Sequence, residues 1–291
     1  MKALVILAGG KSSRMGTDKT FLEYKDKTFL QMLLDEANKH FGRVIIAGGN
    51  KEHAMKIYEY IKASGMRASS QPEILEDKYD SIGPMGGIMS VFEQTKLREF
   101  AVTAVDCPNA SMEVLAQLLD KMKAADDKYD EMHPVSPKGY EMPKLRLVEP
   151  DESLEDIIQA EKKLAEEKEP PVAVMLSLKD DLSRHEGSDQ KDAASNTGNC
   201  ADNSLNIVQH IEDLHIEACA AAYSRRAYNL MKQSQELGKF ALFKALGMEN
   251  IELVQAEDIK KTNPGLNDID LEKAFANINC IEEYKNMMAS K

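Results

Sequence analysis

Apolar residues occur in two different patterns along the first half of the chain, as uninterrupted runs and at helical spacing. A continuously apolar run, ALVIL at residues 3–7, precedes TFLQMLLDEANKHF at residues 28–41, where the apolar side chains recur at helical spacing. A run that is apolar throughout, without alternation, is typical of a strand covered on both faces, as in parallel sheets. The pattern therefore predicts a buried strand followed by a helix.

The same cycle repeats over the first ~130 residues. RVIIAGGN at 43–50 and FAVTAV at 100–105 predict two more buried strands. Helical periodicity recurs in KEHAMKIYEYIKAS at 51–64, GIMSVFEQTK at 87–96 and SMEVLAQLLDKMKAA at 111–125. Strands that alternate with helices indicate an α/β fold with a doubly wound, mostly parallel sheet flanked by helices. In such sheets, ligands bind beyond the carboxyl ends of the strands.

The alternation breaks after about residue 137. Residues 149–169 are strongly acidic and suggest one amphipathic helix, which Pro170 and Pro171 would end. Residues 184–206 are polar, small and aperiodic, which predicts a flexible loop.

Regular patterning then resumes towards the C-terminus. A strand running into a helix is predicted at 216–238, a last strand at 250–255 and a loop between short helices at 270–288. We therefore expect one domain, built from residues 1–136 and 210–291, with an acidic, partly flexible insertion at residues 137–209.

Composition narrows the class of protein. The formal net charge of −12 argues against nucleic-acid binding, because neutralising phosphates requires a surplus of Lys and Arg. No apolar run approaches the ~20 residues of a membrane span, and no basic, apolar leader is present. The 4 cysteines form no CxxC pair and are expected to be free thiols. We expect a cytoplasmic protein that binds neither nucleic acid nor membrane.

The first predicted strand ends in a basic, glycine-bearing loop, LAGGKSSRMGTDK at residues 7–19. Its cations are Lys11, Arg14 and Lys19. A glycine-rich turn between a strand and a helix lets backbone N–H groups point at a phosphate, near the positive end of the helix dipole. A P-loop would need a glycine where Val5 stands, and GxGxxG is absent. The loop therefore predicts an anion site of another kind.

Two further loops carry unusual chemistry. DSIGPMGGIMS at 80–90 opens a predicted helix with glycines that allow a ligand to approach the main chain. In AVTAVDCP, Asp106 follows directly on an apolar strand, where a carboxylate is either a cap or a Mg²⁺ ligand. Because the loops would meet at one sheet edge, together they predict a site for a nucleoside triphosphate with magnesium.

LAGGKSSRMGTDK resembles the signature LAGG-x-S-x-RMG-x-DK of the molybdenum cofactor guanylyltransferases and related nucleotidyltransferases, which have a Rossmann-like fold. GPMGG at 83–87 is similar to the family's GPLGG or GPLAG, and DCP at 106–108 is similar to its Asp-x-Pro metal site. Weaker similarities are HIEACAAAYSRR, from His215, and AFANINCIEEY at 274–284. The resemblance covers roughly residues 1–136 and 210–288.

The resemblance implies transfer of GMP from GTP to molybdopterin, with release of pyrophosphate and use of Mg²⁺. It implies catalytic roles for Lys19, Arg14 and Asp106, with Asp106 also the metal ligand. The implied nucleotide-binding residues are Leu7, Ala8, Gly9, Gly10, Lys19, Asp77, Gly83, Pro84, Gly86, Gly87 and Asp106. The implied substrate-binding residues are His215, Asn277 and Asn279, although the two asparagines are equally consistent with ordinary turns.

Several alternatives stay open. Relatives that use CTP have a first loop resembling LAAG and a DQP acidic site, so Gly9, Gly83–Gly87 and Cys107 favour GTP. Relatives that activate sugar phosphates share the sheet and the first loop. A non-catalytic nucleotide-binding protein acting through the insertion is a further alternative. The insertion itself is either a neutral addition or a docking element for an acceptor molybdoenzyme or partner protein.

Overall fold

The computed structural model describes residues 1–9, 18–79, 81–133, 169–178 and 216–289. The strands of these ranges are β1 (Ala3–Leu7), β2 (Glu23–Tyr24), β3 (Lys27–Thr28), β4 (Arg43–Ala47), β5 (Glu73–Leu75), β6 (Glu99–Ala104), β7 (Ala173–Ser177), β8 (Ile216–Ser224) and β9 (Ile251–Gln255). Their α-helices are α1 (Phe29–His40), α2 (Lys51–Ala63), α3 (Pro84–Gln94), α4 (Met112–Met132), α5 (Arg225–Glu236), α6 (Leu242–Leu246), α7 (Ala256–Thr262), α8 (Leu271–Ala274) and α9 (Ile281–Ala289).

A seven-stranded sheet in the order β5-β4-β1-β6-β8-β7-β9 forms the centre of the fold. β8 runs antiparallel to its neighbours β6 and β7, and the other neighbouring pairs are parallel. The carboxyl ends of β1, β4, β5 and β6 therefore share one edge of the sheet. This topology confirms the predicted α/β class with a mostly parallel, doubly wound sheet.

Both faces of the sheet are covered by helices, which explains why β1 is apolar at every position. Leu4 and Ile6 pack in one cluster with side chains of α1, α2 and α4. Val5 and Leu7 point to the opposite face and pack with α3, α5 and α6. Each such buried side chain is worth about 1.5–3 kcal/mol. Among the helices of the described ranges, none combines the length and apolar character needed to cross a bilayer.

The helix ends follow the local sequence. The side chains of Thr28, Asn50 and Ser111 accept backbone N–H bonds in the first turns of α1, α2 and α4, which confirms the predicted cap at Ser111. After α5, Gly238 adopts a positive φ of 71°, where glycine is favoured.

β7 lies within the segment that the sequence analysis assigns to the insertion at 137–209. All of its side chains are buried, and it pairs with β8 on one side and β9 on the other. This strand, which belongs to the central sheet, was not predicted from the sequence. The predicted loop at 184–206 and nearly all of the acidic helix lie outside the described residues, so the rest of the domain division stays a prediction.

Candidate functional site

The strand register brings the loops after β1, β4 and β6 together. Leu7, the last residue of β1, pairs with Ala47 at the end of β4 and with Ala104 at the end of β6. The N–H groups of Ala8 and Gly9 both donate to the Ala47 carbonyl, at 2.9 and 3.0 Å. The backbone of residues 7–9 therefore starts the basic loop at the carboxyl edge, where the sequence analysis expects it.

Gly9 lies at a point of close contact with two other loops. A Cβ atom at Gly9 would lie 2.7 Å from the Cα of Gly49 and 2.8 Å from Oδ2 of Asp77. Gly49, with φ +72°, in turn accepts a hydrogen bond of 2.7 Å from the Asp77 N–H. Only glycine allows this approach, which places the half-buried Asp77 carboxylate beside the start of the basic loop.

Lys19 and Asp106 meet although 87 residues separate them. The Lys19 ammonium lies 3.0 Å from Oδ2 of Asp106 and 2.8 Å from Oδ1 of Asn279. The Lys19 and Asp106 side chains are 14% and 22% exposed, so the ion pair is mostly buried but still reached by solvent. Three segments that are distant in the sequence therefore supply a cation, a carboxylate and an amide to one point.

The C-terminal segment is held against the end of β6. The Ile278 N–H donates to the Asp106 carbonyl at 2.8 Å, and the Cys107 thiol donates to Oδ1 of Asn277 at 2.8 Å. The Glu283 carboxylate accepts the backbone N–H of Asn279 at the start of α9. Asn279 thus contacts the same Lys19 ammonium as Asp106, and Asn277 is bonded to the buried Cys107, which follows Asp106 in the chain.

The GPMGG segment begins α3, as predicted. Gly83 has φ +64° before Pro84, the first residue of the helix. A Cβ at Gly86 would lie 2.7 Å from the Tyr79 carbonyl, and one at Gly87 would lie 2.9 Å from Cδ2 of Leu7. Close packing of α3 on β1 and on the preceding loop therefore explains why residues 86 and 87 are glycines. The nucleotide-binding roles of these residues stay predictions.

Three candidates, Gly10, Arg14 and His215, lie outside the described residues. Ile216, next to His215, begins β8 opposite Ser177, at the carboxyl edge. The arginines of the YSRR stretch lie at the other end of β8. Arg225 donates to the carbonyls of Phe92, Thr95 and Leu97, and Arg226 pairs with the buried Asp126. Those arginines therefore hold the fold together away from the candidate site.

The described residues contain no group of three or more His, Cys, Asp or Glu side chains placed to hold a metal ion. Protein sites for Mg²⁺ commonly supply only one or two carboxylates, and phosphates and water complete the shell. Asp106, with the amide oxygens of Asn277 and Asn279 nearby, is a donor set of that kind. The residues fit a magnesium ion that arrives with a phosphate ligand.

Several contacts at this edge were not predicted from the sequence. Gly48 and Gly49 follow a strand that the sequence predicts, but the contact between Gly49 and Gly9 was not predicted. The bond from Cys107 to Asn277 and the ion pair between Asp18 and His53 were not predicted either. His53 lacks a recognisable ligand spacing, so only the fold brings it to the site.

Comparison with known proteins identifies one family whose sequence model matches this chain. The sequence model of the MobA-like NTP transferase domain matches residues 4–181, more than half of the chain and including β7. A Halalkalibacterium halodurans protein named "Probable molybdenum cofactor guanylyltransferase" is 28% identical over 126 residues, 43% of this chain and 59% of that protein. A protein of the same name from Clostridium perfringens is 35% identical over 118 residues, 40% and 52% of the two chains. The chain thus spans little more than half the length of these relatives.

Solved structures show the fold over nearly the whole chain. Molybdopterin-guanine dinucleotide biosynthesis protein A from Archaeoglobus fulgidus superposes with a TM-score of 0.57 at 15% identity, covering 98% of this chain and 96% of that one. A nucleotidyl transferase from Methanothermobacter superposes with a TM-score of 0.51 at 13% identity, covering 99% and 95%. At sequence identities of 15% and 13%, these structural similarities show a common fold.

Proposed function

This chain belongs to the MobA-like NTP transferase domain family, and from that premise we propose that it transfers GMP from GTP to molybdopterin and releases pyrophosphate. The observation that carries the proposal is the meeting of Lys19, Asp106 and Asn279 at the carboxyl edge of the sheet. The names of the relatives from H. halodurans and C. perfringens support the choice of guanylyl transfer.

The reaction forms one P–O bond and breaks another. An oxygen of the acceptor phosphate attacks the α-phosphorus of GTP, and the bond from that phosphorus to the oxygen bridging to the β-phosphate breaks. The bonding electrons leave with pyrophosphate. Because both reactants are anionic, the protein's contribution is alignment and neutralisation of charge rather than covalent chemistry.

Lys19 is suited to neutralise the triphosphate. Its ammonium has three N–H donors, and the described residues use two of them, for Asp106 and Asn279. The third is left for a phosphate oxygen. These two partners also fix the direction of the ammonium, so little ordering is required when the nucleotide binds. Arg14, which lies outside the described residues, is proposed as a second cation from the same loop.

Asp106 is proposed as the ligand for Mg²⁺, with the phosphates of GTP completing the coordination shell. When bound, the ion would neutralise charge on the phosphate oxygens and hold them in line for displacement. The backbone bond from Ile278 to the Asp106 carbonyl holds that residue in place. Asn277 and Asn279 are proposed to bind the acceptor or the metal.

Asp77 is proposed to favour guanine. Guanine presents two adjacent N–H donors on its Watson–Crick edge, which one carboxylate accepts in a bidentate pair, whereas cytosine presents one amino group there. The Asp77 carboxylate lies beside Gly9, where the backbone of residues 7–9 would hold the base.

A thermal-shift panel tests the nucleotide. GTP with Mg²⁺ should stabilise the protein, by about 2.7 kcal/mol at a ligand concentration 100 times Kd. CTP, ATP and UTP should stabilise it less, and chelation of Mg²⁺ should remove most of the effect. Equal shifts from all four nucleotides would contradict guanine selectivity.

The acceptor requires a transfer assay. Incubation with GTP labelled at the α-phosphate and with molybdopterin should give a labelled dinucleotide and one pyrophosphate per dinucleotide. Sugar 1-phosphates in place of molybdopterin serve as the comparison. Label transferred to a sugar phosphate but not to molybdopterin would contradict the proposed acceptor while leaving the transferase chemistry intact. The docking role of the insertion stays a separate prediction.

A further inference from the structure

Asp18 and His53 form an ion pair where the basic loop after β1 meets the turn after β4. His53 Nε2 lies 2.8 Å from Oδ2 of Asp18, and His53 Nδ1 lies 2.7 Å from the Gly48 carbonyl oxygen. The Asp18–His53 pair is absent from the proposed catalytic and metal sets, although Asp18 directly precedes Lys19.

The partners of His53 determine its protonation. A carbonyl oxygen only accepts hydrogen bonds, so the Gly48 contact requires a proton on Nδ1. An ionised carboxylate also only accepts, so the Asp18 contact requires a proton on Nε2. A neutral imidazole carries a single N–H. Both contacts are therefore made at once only by the doubly protonated, cationic ring.

The local charges favour this cation. The hydrogen bond to Asp18 is the largest cause that raises the pKa of His53. Together with the Gly48 hydrogen bond and the charge of Asp18, it outweighs burial and the charge of Lys56, which lower the pKa. Burial alone would raise the pKa of Asp18, but the hydrogen bonds from His53 and Thr20 reverse that effect and the pKa is lowered. The N-terminus of α2 opposes a cation at His53 and favours the Asp18 carboxylate beside it.

Both ends of the pair are anchored. Asp18 Oδ1 accepts the Thr20 N–H at 3.0 Å and so caps the short helical turn that contains Lys19. The backbone N–H of His53 donates to Oδ1 of Asn50 at 3.0 Å, in the first turn of α2. The Phe21 ring packs against the imidazole, edge on, with centroids 6.2 Å apart. A movement of His53 would therefore be transmitted to the turn that carries Lys19.

We propose that cationic His53 is a positioning residue, which ties Asp18 to the turn after β4 and so holds Lys19 ready for the triphosphate. This inference rests on the proposed nucleotide site. It makes nucleotide affinity depend on pH through a residue outside the proposed nucleotide-binding and metal-binding sets. Because the pKa of His53 is raised above its ordinary value of about 6.5, the tie is complete below that value. It is lost as the pH rises through the raised pKa.

The test measures the Kd of GTP with Mg²⁺ by calorimetry between pH 6 and pH 9 for wild type and His53→Gln. Glutamine keeps a donor but no charge. The γ-phosphate of GTP also titrates near neutrality, so the quantity of interest is the ratio of the two Kd values at each pH. We expect His53→Gln to bind about tenfold more weakly at pH 6, with the ratio falling below about twofold at pH 9. A ratio that does not change with pH would overturn the proposal. His40→Gln, an exposed histidine at the end of α1, is the matched control and should follow wild type.

A second measurement needs no nucleotide and separates this proposal from the proposed function. Hydrogen exchange at the backbone amides of residues 19–21, corrected for intrinsic rates, should be slow in wild type at pH 6 and about tenfold faster in His53→Gln. At pH 9 the two proteins should converge. If GTP fails to bind but these rates differ as expected, the proposed function fails and the positioning role stands. If GTP binds but wild type and His53→Gln have the same exchange rates and the same Kd at every pH, the positioning role fails alone.

Discussion

At the scale of single residues, the candidate site is built from side chains that lie far apart in the sequence. Lys19 contacts both Asp106 and Asn279, and the Asp77 carboxylate lies beside Gly9, just after β1. Because each contact depends on one side chain or on the absence of one, single substitutions test it.

Asp77→Asn tests base recognition. If the carboxylate accepts both guanine donors, the amide loses one acceptor and the charge, so the Kd of GTP should rise about tenfold or more. The Kd of CTP should change less than threefold. Calorimetry with both nucleotides measures the two values. Parallel losses for GTP and CTP would show that Asp77 supports the loop rather than reads the base.

Gly9→Ala tests the close approach of the three loops. Its methyl group would meet Gly49 backbone at 2.7 Å and the Asp77 carboxylate at 2.8 Å, so loops must shift at a cost of about 1–3 kcal/mol. We expect a lower Tm and weaker GTP binding. Gly265→Ala is the control, since its new Cβ would meet only a flexible side chain, Asn263, at 3.3 Å. Unchanged Tm and GTP affinity in Gly9→Ala would contradict the described packing.

The position of Gly9 and Asp106 at the sheet edge was predicted, because an apolar strand fixes which loop residue comes first at that edge. The contacts between loops were harder to predict, because the bonds from Cys107 to Asn277 and from His53 to Asp18 join segments far apart in the chain. Such contacts depend on strand register and loop paths, which periodicity does not encode.

At the scale of elements, β1, β4, β6, β8 and β9 and the helices α1 to α5 were predicted, because their patterns are long and unambiguous. The short elements β2, β3, β5, α6 and α7 were not predicted. β7 was missed. It follows a strongly acidic segment and two prolines, and no predicted helix follows it in the sequence. Its place between β8 and β9 arises from pairing with strands distant in the chain. A short apolar run carries too little local signal to reveal that pairing.

Glu99, the first residue of β6, gives a pH-dependent prediction. Burial raises the pKa of Glu99, and the nearby Asp126 adds to the effect. A carboxyl whose pKa is raised on folding favours the native state below its unfolded pKa, about 4.3, and that contribution is lost as the pH rises through the folded value. Glu99→Gln should therefore raise stability by about 0.5 kcal/mol at pH 7.5, after allowance for solvent screening, and by nothing at pH 4.

Thermal unfolding at the two pH values measures the effect. Glu59→Gln, at an exposed position of α2, is the control and should leave Tm unchanged at both. A destabilised Glu99→Gln protein at pH 7.5 would show that the ionised carboxylate makes a favourable interaction instead.

At the scale of the whole molecule, the central sheet combines strands from before, within and after the predicted insertion. Ala101 and Val102 of β6 pair with Ala222 and Ala221 of β8, so the first 133 residues alone would leave β6 as an exposed edge. α4 would also lose its contacts with β7 and β8. Residues 1–133 should therefore aggregate or unfold without cooperativity, as measured by light scattering and circular dichroism. A monomeric fragment with a cooperative transition would contradict this view of the domain.

The central claim is that Lys19 and Asp106 form one site for a magnesium-loaded triphosphate. Calorimetry of GTP binding, with Mg²⁺ and with EDTA, to wild type, Lys19→Ala and Asp106→Asn tests it most directly. Lys2→Ala is the matched control, because Lys2 pairs with Asp120 at 2.7 Å near the opposite end of β1. We predict wild-type affinity for Lys2→Ala, a loss of about 10²-fold for Lys19→Ala and loss of the Mg²⁺ dependence in Asp106→Asn. Equal, Mg²⁺-dependent binding by all four proteins would contradict the account.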